Sequence, residues 1–247
     1  MAETIDDVID KLTEIVDWCK QNNSRMGYYT VLYRIVTKKI KTAILQGQFE
    51  HPARITQLDI IFANYFISAF TDYRLTGQCT QCWQLVFQLA KNSKLTILQH
   101  LMMGINVHVN YDLSLALIKI ADEENLALLK KDFDKINTIL LSLADQFACK
   151  IASIWQKTSF VDKWIGKIDR MTIAFMMKIS RNQSWKYANQ LSQINADSLT
   201  AEIVKLDHRV TKYGYIIIKA RMFANMPFWF RGRPYLGTIP QIIAKLE

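Results

Sequence analysis

The strongest constraint on the fold is a stretch from Leu95 to Ile120 that contains no proline and is apolar over most of its length. As a helix it makes about seven turns and is apolar nearly all round, which is typical of a helix buried on most of its faces. It also carries polar side chains that are costly to bury without partners: His100, Asn106, His108, Asn110 and Asp112. The rest of the chain must therefore bury this helix and supply partners for its polar groups.

Apolar residues recur at helical spacing through most of the chain, and eight glycines and four prolines are few for 247 residues. This pattern favours long helices with short connections. We predict one all-α globular domain over 1–247, a multi-helix bundle of about eight helices around a buried central helix at about 95–120, with a loop-like tail at about 227–247. The predicted helices cover about 4–20, 27–46, 54–75, 81–91, 95–120, 122–156, 161–193 (with a break near Arg181) and 198–226, with a short strand at 215–218 as an alternative.

The net charge is +9, but the basic residues are spread in pairs such as Lys38-Lys39, and no nucleic-acid-binding module is recognisable. We therefore expect no nucleic-acid partner. The acidic N-terminus does not resemble a signal peptide, and no transmembrane segment is predicted, so we expect a cytoplasmic protein. One possible membrane contact lies in the tail, where aromatic residues alternate with arginines that suit either a lipid surface or packing on the core: Phe228, Trp229, Phe230, Arg231 and Arg233.

The polar residues of the central stretch fall on two faces of a regular helix. At 100° per residue, His100, His108 and Asp112 lie within about 120° of one another. Asn106 and Asn110 lie about 160° away from His108 and Asp112, respectively. Two polar faces would need partners from two different neighbours, and a local break near Gly104 would change this geometry.

His108 and Asp112 are four residues apart and can meet on one face of the helix. Three interpretations stay open. With His100 and Asp59, they could bind a divalent metal such as zinc, iron or manganese. Without a metal, Asp112 could orient His108 as a general base. The pair could also be structural, bonding one helix to the next.

Two function classes follow from these alternatives. The first is an enzyme, hydrolase-like and using either metal or His–Asp acid–base chemistry, that acts on a small, partly apolar molecule in a pocket beside the central helix. The second is a non-catalytic protein that binds a lipid or another small ligand, in which the His, Asn and Asp residues are structural. Arg54 could pair with an anionic group of the substrate or with Asp59. The oligomeric state is not predicted.

The segment GINVHVNYDLSLAL resembles the signature G-I-N-x-H-I-N-x-D-L of an uncharacterised, largely bacterial family, domain-of-unknown-function family 5995. The stretches NSRMGYYTVLYRIVT and GQFEHPARITQLDIIFANYF agree with it, and RNQSWKYANQL resembles the family's R-x-x-x-W-x-x-A-x-x-L. The resemblance implies a single helical domain but no activity. It departs at His51, where an aspartate is expected. It points to these matching residues: Tyr33, Arg54, Asp59, Asn64, His100, Asn106, His108, Asn110, Asp112, Arg181 and Trp185. Tyr33, Arg54, Asn64, Asn106 and Asn110 are the ligand-binding candidates.

Overall fold

A computed structural model describes residues 1–123, 126–154, 170–219 and 237–247 of the chain. Helices fill most of these ranges and no strand occurs in them, so the all-α prediction is confirmed. The α-helices are α1 (Ile5–Gln21), α2 (Met26–Leu45), α3 (Pro52–Thr76), α4 (Gln81–Leu89), α5 (Ile97–Val107), α6 (Leu113–Glu123), α7 (Lys130–Ile154), α8 (Arg170–Leu191), α9 (Ala196–Lys219) and α10 (Ile239–Leu246). A 3₁₀ turn at Leu126–Leu129 leads into α7.

The predicted central helix is present as α5 and α6, joined end to end by a π-helical turn at His108–Asp112. It begins at a capping box in which Thr96 and Gln99 satisfy each other's backbone N–H groups. α5 packs on α2, α4 and α9, and α6 packs on α3 and α8. The span Ile97–Ala121 is long and apolar enough to cross a membrane, but 78% of its apolar window is buried inside the protein. It is therefore the core helix of the bundle.

Two buried or partly buried carboxylates fix the helices that surround this core. Asp132 of α7 accepts the backbone N–H groups of Glu50 and His51, at 2.8 and 2.7 Å, at the start of α3. Asp207 of α9 accepts the first two backbone N–H groups of α4, each at 2.8 Å. Each carboxylate thus caps a helix far away in sequence and satisfies donors that would otherwise lack partners.

The C-terminal tail differs from the prediction, because a helix and not a loop occupies Ile239–Leu246. Its proline lies in the first turn, where a helix tolerates it. Thr238 and Gln241 form a capping box, and apolar residues at helical spacing are buried against α1, α2 and α7. The proline-rich sequence predicted a loop, but here Pro240 starts a helix.

Two further details differ from the sequence-based expectations. Asp122 and Glu123 end α6 and do not begin the next helix, and α8 continues through Arg181 without a break. At 215–218 the predicted helix is confirmed and the alternative of a short strand is wrong. The β-branched residues at 216–218 thus continue the helix and do not form a strand. The predicted membrane-contact residues Phe228 to Arg233 lie outside the described residues.

Gly104 of α5 allows the close approach of α2. A Cβ atom at this position would lie 2.4 Å from Cγ of Tyr29, closer than real Cβ contacts occur. We therefore expect Gly104→Ala to lower the free energy of unfolding by about 1–3 kcal/mol through overpacking, measured by urea denaturation. Gly214→Ala is the matched control, because its Cβ would meet only the ends of the Leu85 and Met103 side chains, at 3.0 Å. An equal effect of the two substitutions would contradict the role given to Gly104.

Candidate functional site

A cavity lies beside the central helix, between α2, α3, α7 and α8. The space between the helices amounts to about 730 Å³ when the open solvent at its mouth is included. Twelve of the seventeen described residues that line it are apolar. The polar ones among them are Tyr29, Tyr33, Asp59, His108 and Arg181. The cavity thus combines an apolar wall with a few polar groups.

The π-helical turn carries the His–Asp pair that the sequence singled out. Nδ1 of His108 lies 2.8 Å from Oδ2 of Asp112. The indole Nε1 of Trp83, on α4, donates to both carboxyl oxygens of Asp112 at 3.1 Å. Ser184 of α8 donates its hydroxyl to the carbonyl oxygen of Val109 inside the turn, at 2.6 Å. Neighbouring helices therefore supply hydrogen bonds at the turn, and π-turns of this kind are frequent at functional sites.

The imidazole of His108 is enclosed by aromatic rings. Phe62 stacks on it with a centroid distance of 3.6 Å, and Tyr33 meets it at 4.2 Å. Burial lowers the pKa of His108 well below its ordinary value, so the ring is neutral. Its Nε2 is buried and has no hydrogen-bond partner among the described residues. One ring nitrogen is thus held by Asp112 while the other is left for a different group.

The protonation state of Asp112 decides what Nε2 offers. Burial raises the pKa of Asp112 well above its ordinary value, and the Trp83 N–H opposes that rise. With Asp112 ionised, the neutral ring carries its one proton on Nδ1, and Nε2 accepts a hydrogen bond. With Asp112 protonated and donating to Nδ1, the proton of the neutral ring is on Nε2, which then donates. The two states differ by one proton, and neither places a net positive charge on the pair.

Asp59 of α3 is the second titratable group of the cavity. Burial raises its pKa from 3.8 to about 7, and its Oδ2 has no partner among the described residues. The charge of Asp59 contributes to the raised pKa of Tyr33, and both side chains line the cavity. The hydroxyl of Tyr29 is likewise buried without a hydrogen bond in the described part of the chain, whereas a hydrogen bond with Thr37 lowers the pKa of Tyr33. Unpaired polar atoms of this kind are uncommon in a protein interior.

The asparagine candidates lie away from this cavity. Asn106 donates to the carbonyl oxygen of Val210 in α9 at 3.1 Å, and Asn110 donates to the Asn106 carbonyl oxygen at 3.0 Å. They form the second polar face of the central helix. Asn64 exchanges two hydrogen bonds with the backbone of Ala2, at 2.8 and 2.9 Å, and so holds the N-terminus. None of the three lines the cavity.

His100 and Arg54 also lie outside the set of residues that line the cavity. His100 is in the first turns of α5, where burial lowers its pKa to about 4. Among the described residues, no group of three or more His, Cys, Asp or Glu side chains is arranged to hold a metal ion. His108 and Asp112 form a pair, and the geometry gives no support to a four-residue metal site with His100 and Asp59.

Trp83, Phe62 and Arg181 contribute to the site but were not among the site residues predicted from the sequence. Trp83 and Phe62 lie on α4 and α3, and they meet His108 and Asp112 only through tertiary packing. Contacts of this kind cannot be predicted from the spacing of residues along the sequence. For Arg181 a signal existed, because it is the first residue of the R-x-x-x-W-x-x-A-x-x-L segment. All four residues that define this segment are buried.

The fold and the site define an all-α protein with a largely apolar cavity beside a core helix that contains a π-turn. A family model matches residues 5–220, and the chain belongs to this family, a family of unknown function (DUF5995). The resemblance seen in the sequence is thereby confirmed. A search of curated proteins gives no significant match, and neither does a search of solved structures.

Proposed function

We propose that the cavity binds a small, mostly apolar molecule and that His108 acts on it as an acid–base group. One observation carries this proposal. The cavity is lined mostly by apolar side chains, yet three polar atoms on its lining residues have no partner among the described residues. Unpaired buried polar atoms cost free energy, and a bound molecule with a polar group would recover it. The atoms are His108 Nε2, Asp59 Oδ2 and the hydroxyl of Tyr29.

The chemistry follows from the two titratable groups. With Asp112 ionised, Asp112 orients the imidazole of His108 through the protonated Nδ1, which leaves Nε2 to take a proton from a water molecule or a hydroxyl group. Asp59, with a pKa of about 7, can give a proton to a leaving oxygen at neutral pH. Hydrolysis of an ester-like bond uses both transfers: the water oxygen bonds to the carbonyl carbon while its proton goes to His108, and the bond to the leaving oxygen breaks as that oxygen receives the proton of Asp59. Passage of the proton from His108 to Asp59 through solvent restores the starting state. The proposal is thus a metal-free, hydrolase-like acid–base reaction.

The second candidate is a non-catalytic carrier for a lipid-like molecule. The apolar character of the cavity wall favours it, since twelve of seventeen lining residues carry no polar side-chain group that could react. In this case His108 and Asp112 would only hold a polar group of the ligand. Turnover distinguishes the two candidates, while binding alone does not.

The test uses the neutral dye Nile red to probe the cavity and p-nitrophenyl butyrate to probe turnover. Leu140→Trp places a large side chain at the cavity wall, and we expect it to weaken Nile red binding at least about tenfold. His108→Phe keeps a ring stacked on Phe62 but removes Nε2, and we expect it to reduce ester hydrolysis by about 100-fold or more. Fluorescence titration and release of nitrophenolate measure the two effects.

The control for the hydrolysis assay is His208→Ala, because His208 is an exposed imidazole on α9 that could cleave activated esters without a site. It should leave the rate unchanged. Nile red binding without hydrolysis in the wild-type protein would favour the carrier. If the wild-type protein fails to bind Nile red, the cavity is not a ligand site and both candidates fall.

A further inference from the structure

Arg181 of α8 is a buried cation that contacts only neutral groups among the described residues. Its side chain is 5% exposed and lines the cavity. Nε donates to Oδ1 of Asn137 at 2.8 Å, and one terminal nitrogen donates to the carbonyl oxygen of Phe133 at 3.0 Å. The Phe133 ring lies 4.0 Å from Cζ. These contacts orient the guanidinium but occupy only two of its N–H groups.

The acidic residues around Arg181 are engaged elsewhere. The charge of Asp134 acts on the guanidinium, but this carboxylate is exposed and pairs with Lys130. Asp132, on the same helix, accepts two backbone N–H groups at the start of α3. Asp59 lines the same cavity, and its Oδ2 has no partner among the described residues. A buried charge without an opposite charge is unfavourable in an apolar surrounding.

Burial lowers the pKa of Arg181 to about 9, so the guanidinium keeps its charge at neutral pH. The polar side chains of the cavity wall are thus of two kinds. One is the cation Arg181, and the others, His108, Asp59, Tyr29 and Tyr33, carry no positive charge at neutral pH. Arginine pairs with a carboxylate through charge-assisted, often two-pronged hydrogen bonds, which suits a planar anionic group better than a neutral one.

We propose that the molecule bound in the cavity is an amphipathic carboxylic acid, whose carboxylate pairs with Arg181 and whose apolar chain fills the remaining wall. This inference rests on the proposed function, because it names the class of ligand for the same cavity. The apolar chain would then lie along Leu32, Ile55 and Leu113 of the lining. A group to be hydrolysed would face His108.

The experiment compares three ten-carbon amphiphiles that differ in the charge of the head group. Decanoate, 1-decanol and decyltrimethylammonium are titrated into the full-length protein below their micelle concentrations, with displacement of Nile red as the readout. We expect decanoate to bind at least about tenfold more tightly than decanol, and the cation to bind most weakly. Arg181→Met should reduce decanoate affinity at least about tenfold and change decanol affinity by less than about twofold.

The matched control is Arg209→Met. Arg209 is exposed, its Cζ lies 5.3 Å from the centre of the Tyr187 ring, and it does not line the cavity that Arg181 lines. It should leave all three affinities unchanged. Equal binding of decanoate and decanol by the wild-type protein would overturn the carboxylate ligand while leaving the cavity proposal intact. Loss of Nile red binding itself would remove both. If circular dichroism shows that Arg181→Met is unfolded, the wild-type series decides, and Arg181→Lys tests whether a retained charge preserves the preference.

Discussion

Asp59→Asn should raise the free energy of unfolding by about 4 kcal/mol at about pH 8 and leave it nearly unchanged at about pH 4. Burial raises the pKa of this carboxyl from 3.8 to about 7, and a difference of this size between the folded and unfolded chains corresponds to about 4 kcal/mol. Below pH 4 the carboxyl is protonated in both states. Between pH 4 and 7 the unfolded chain releases the proton while the folded chain keeps it, so stability falls as pH rises. Asparagine has nearly the shape of the protonated acid and escapes this penalty.

The measurement is urea denaturation of the wild-type protein and the variant between about pH 4 and pH 8. The difference between the two proteins is needed, because His100 titrates in the same interval with the opposite sign. Its pKa falls from 6.5 to about 4 in the folded protein, so its contribution to stability is lost as pH falls. Asp72→Asn, an exposed position on α3, should give a difference near zero at every pH. If the free energy of unfolding of Asp59→Asn also differs from that of the wild-type protein by the same amount at every pH, the Asp59 carboxyl is not buried as described.

A stability gain from Asp59→Asn would also bear on the proposed function. The chain carries a carboxyl at a site where a neutral side chain of the same shape would be more stable. A loss of stability of this kind is typical of positions at which a protein uses the charged or titrating form of a side chain. The same substitution removes the proposed proton donor, so the variant should be more stable and should hydrolyse ethyl butyrate, whose leaving alkoxide needs a proton, more slowly. Hydrolysis of p-nitrophenyl butyrate should change less, because nitrophenolate leaves without a proton.

Local signals were sufficient to predict most of the helices. Thr4 caps the N-terminus of α1, and its side chain and that of Asp7 form a capping box. A capping box depends only on residues three positions apart. The central helix was predicted from its length and apolar composition, and the same reasoning placed α2 and α3 within about two residues. These features are local in sequence, so periodicity and capping residues report them directly.

The details of the site depend on contacts that are distant in sequence. The π-turn segment HVNYD contains neither glycine nor proline, and nothing in its composition marks a departure from regular helix geometry. The hydrogen bonds at the turn come from Ser184 and Trp83, on α8 and α4. The cavity wall is likewise assembled from helices far apart in the chain, which is why Arg181 was recognisable as a matching residue but not as a lining one.

Asp112→Ala should lower the free energy of unfolding by about 4 kcal/mol at about pH 4, where ionisation of the carboxyl in the unfolded chain contributes little, one of the two largest effects expected for this chain. The carboxyl is 1% exposed and receives the Trp83 N–H on both oxygens, while Nδ1 of His108 lies 2.8 Å away. Its removal leaves two polar nitrogens buried without partners, and each such group costs about 1–3 kcal/mol. The space left by the side chain adds to this loss. Chemical denaturation measures the change.

A double-mutant cycle separates the hydrogen-bond contribution from the space left behind. Trp83→Phe alone should cost about 1–2 kcal/mol, because Asp112 keeps its contact with His108. The double variant should cost less than the two single losses together, since removing the indole N–H also removes one of the groups that Asp112→Ala leaves unpaired. Glu14→Ala, which removes an exposed carboxylate paired with Lys11, should change stability by less than about 0.5 kcal/mol. Strict additivity in the cycle would mean that Trp83 and Asp112 stabilise the core independently. The hydrogen bond between Trp83 and Asp112 would then not be what holds Asp112 against His108 for the proposed role.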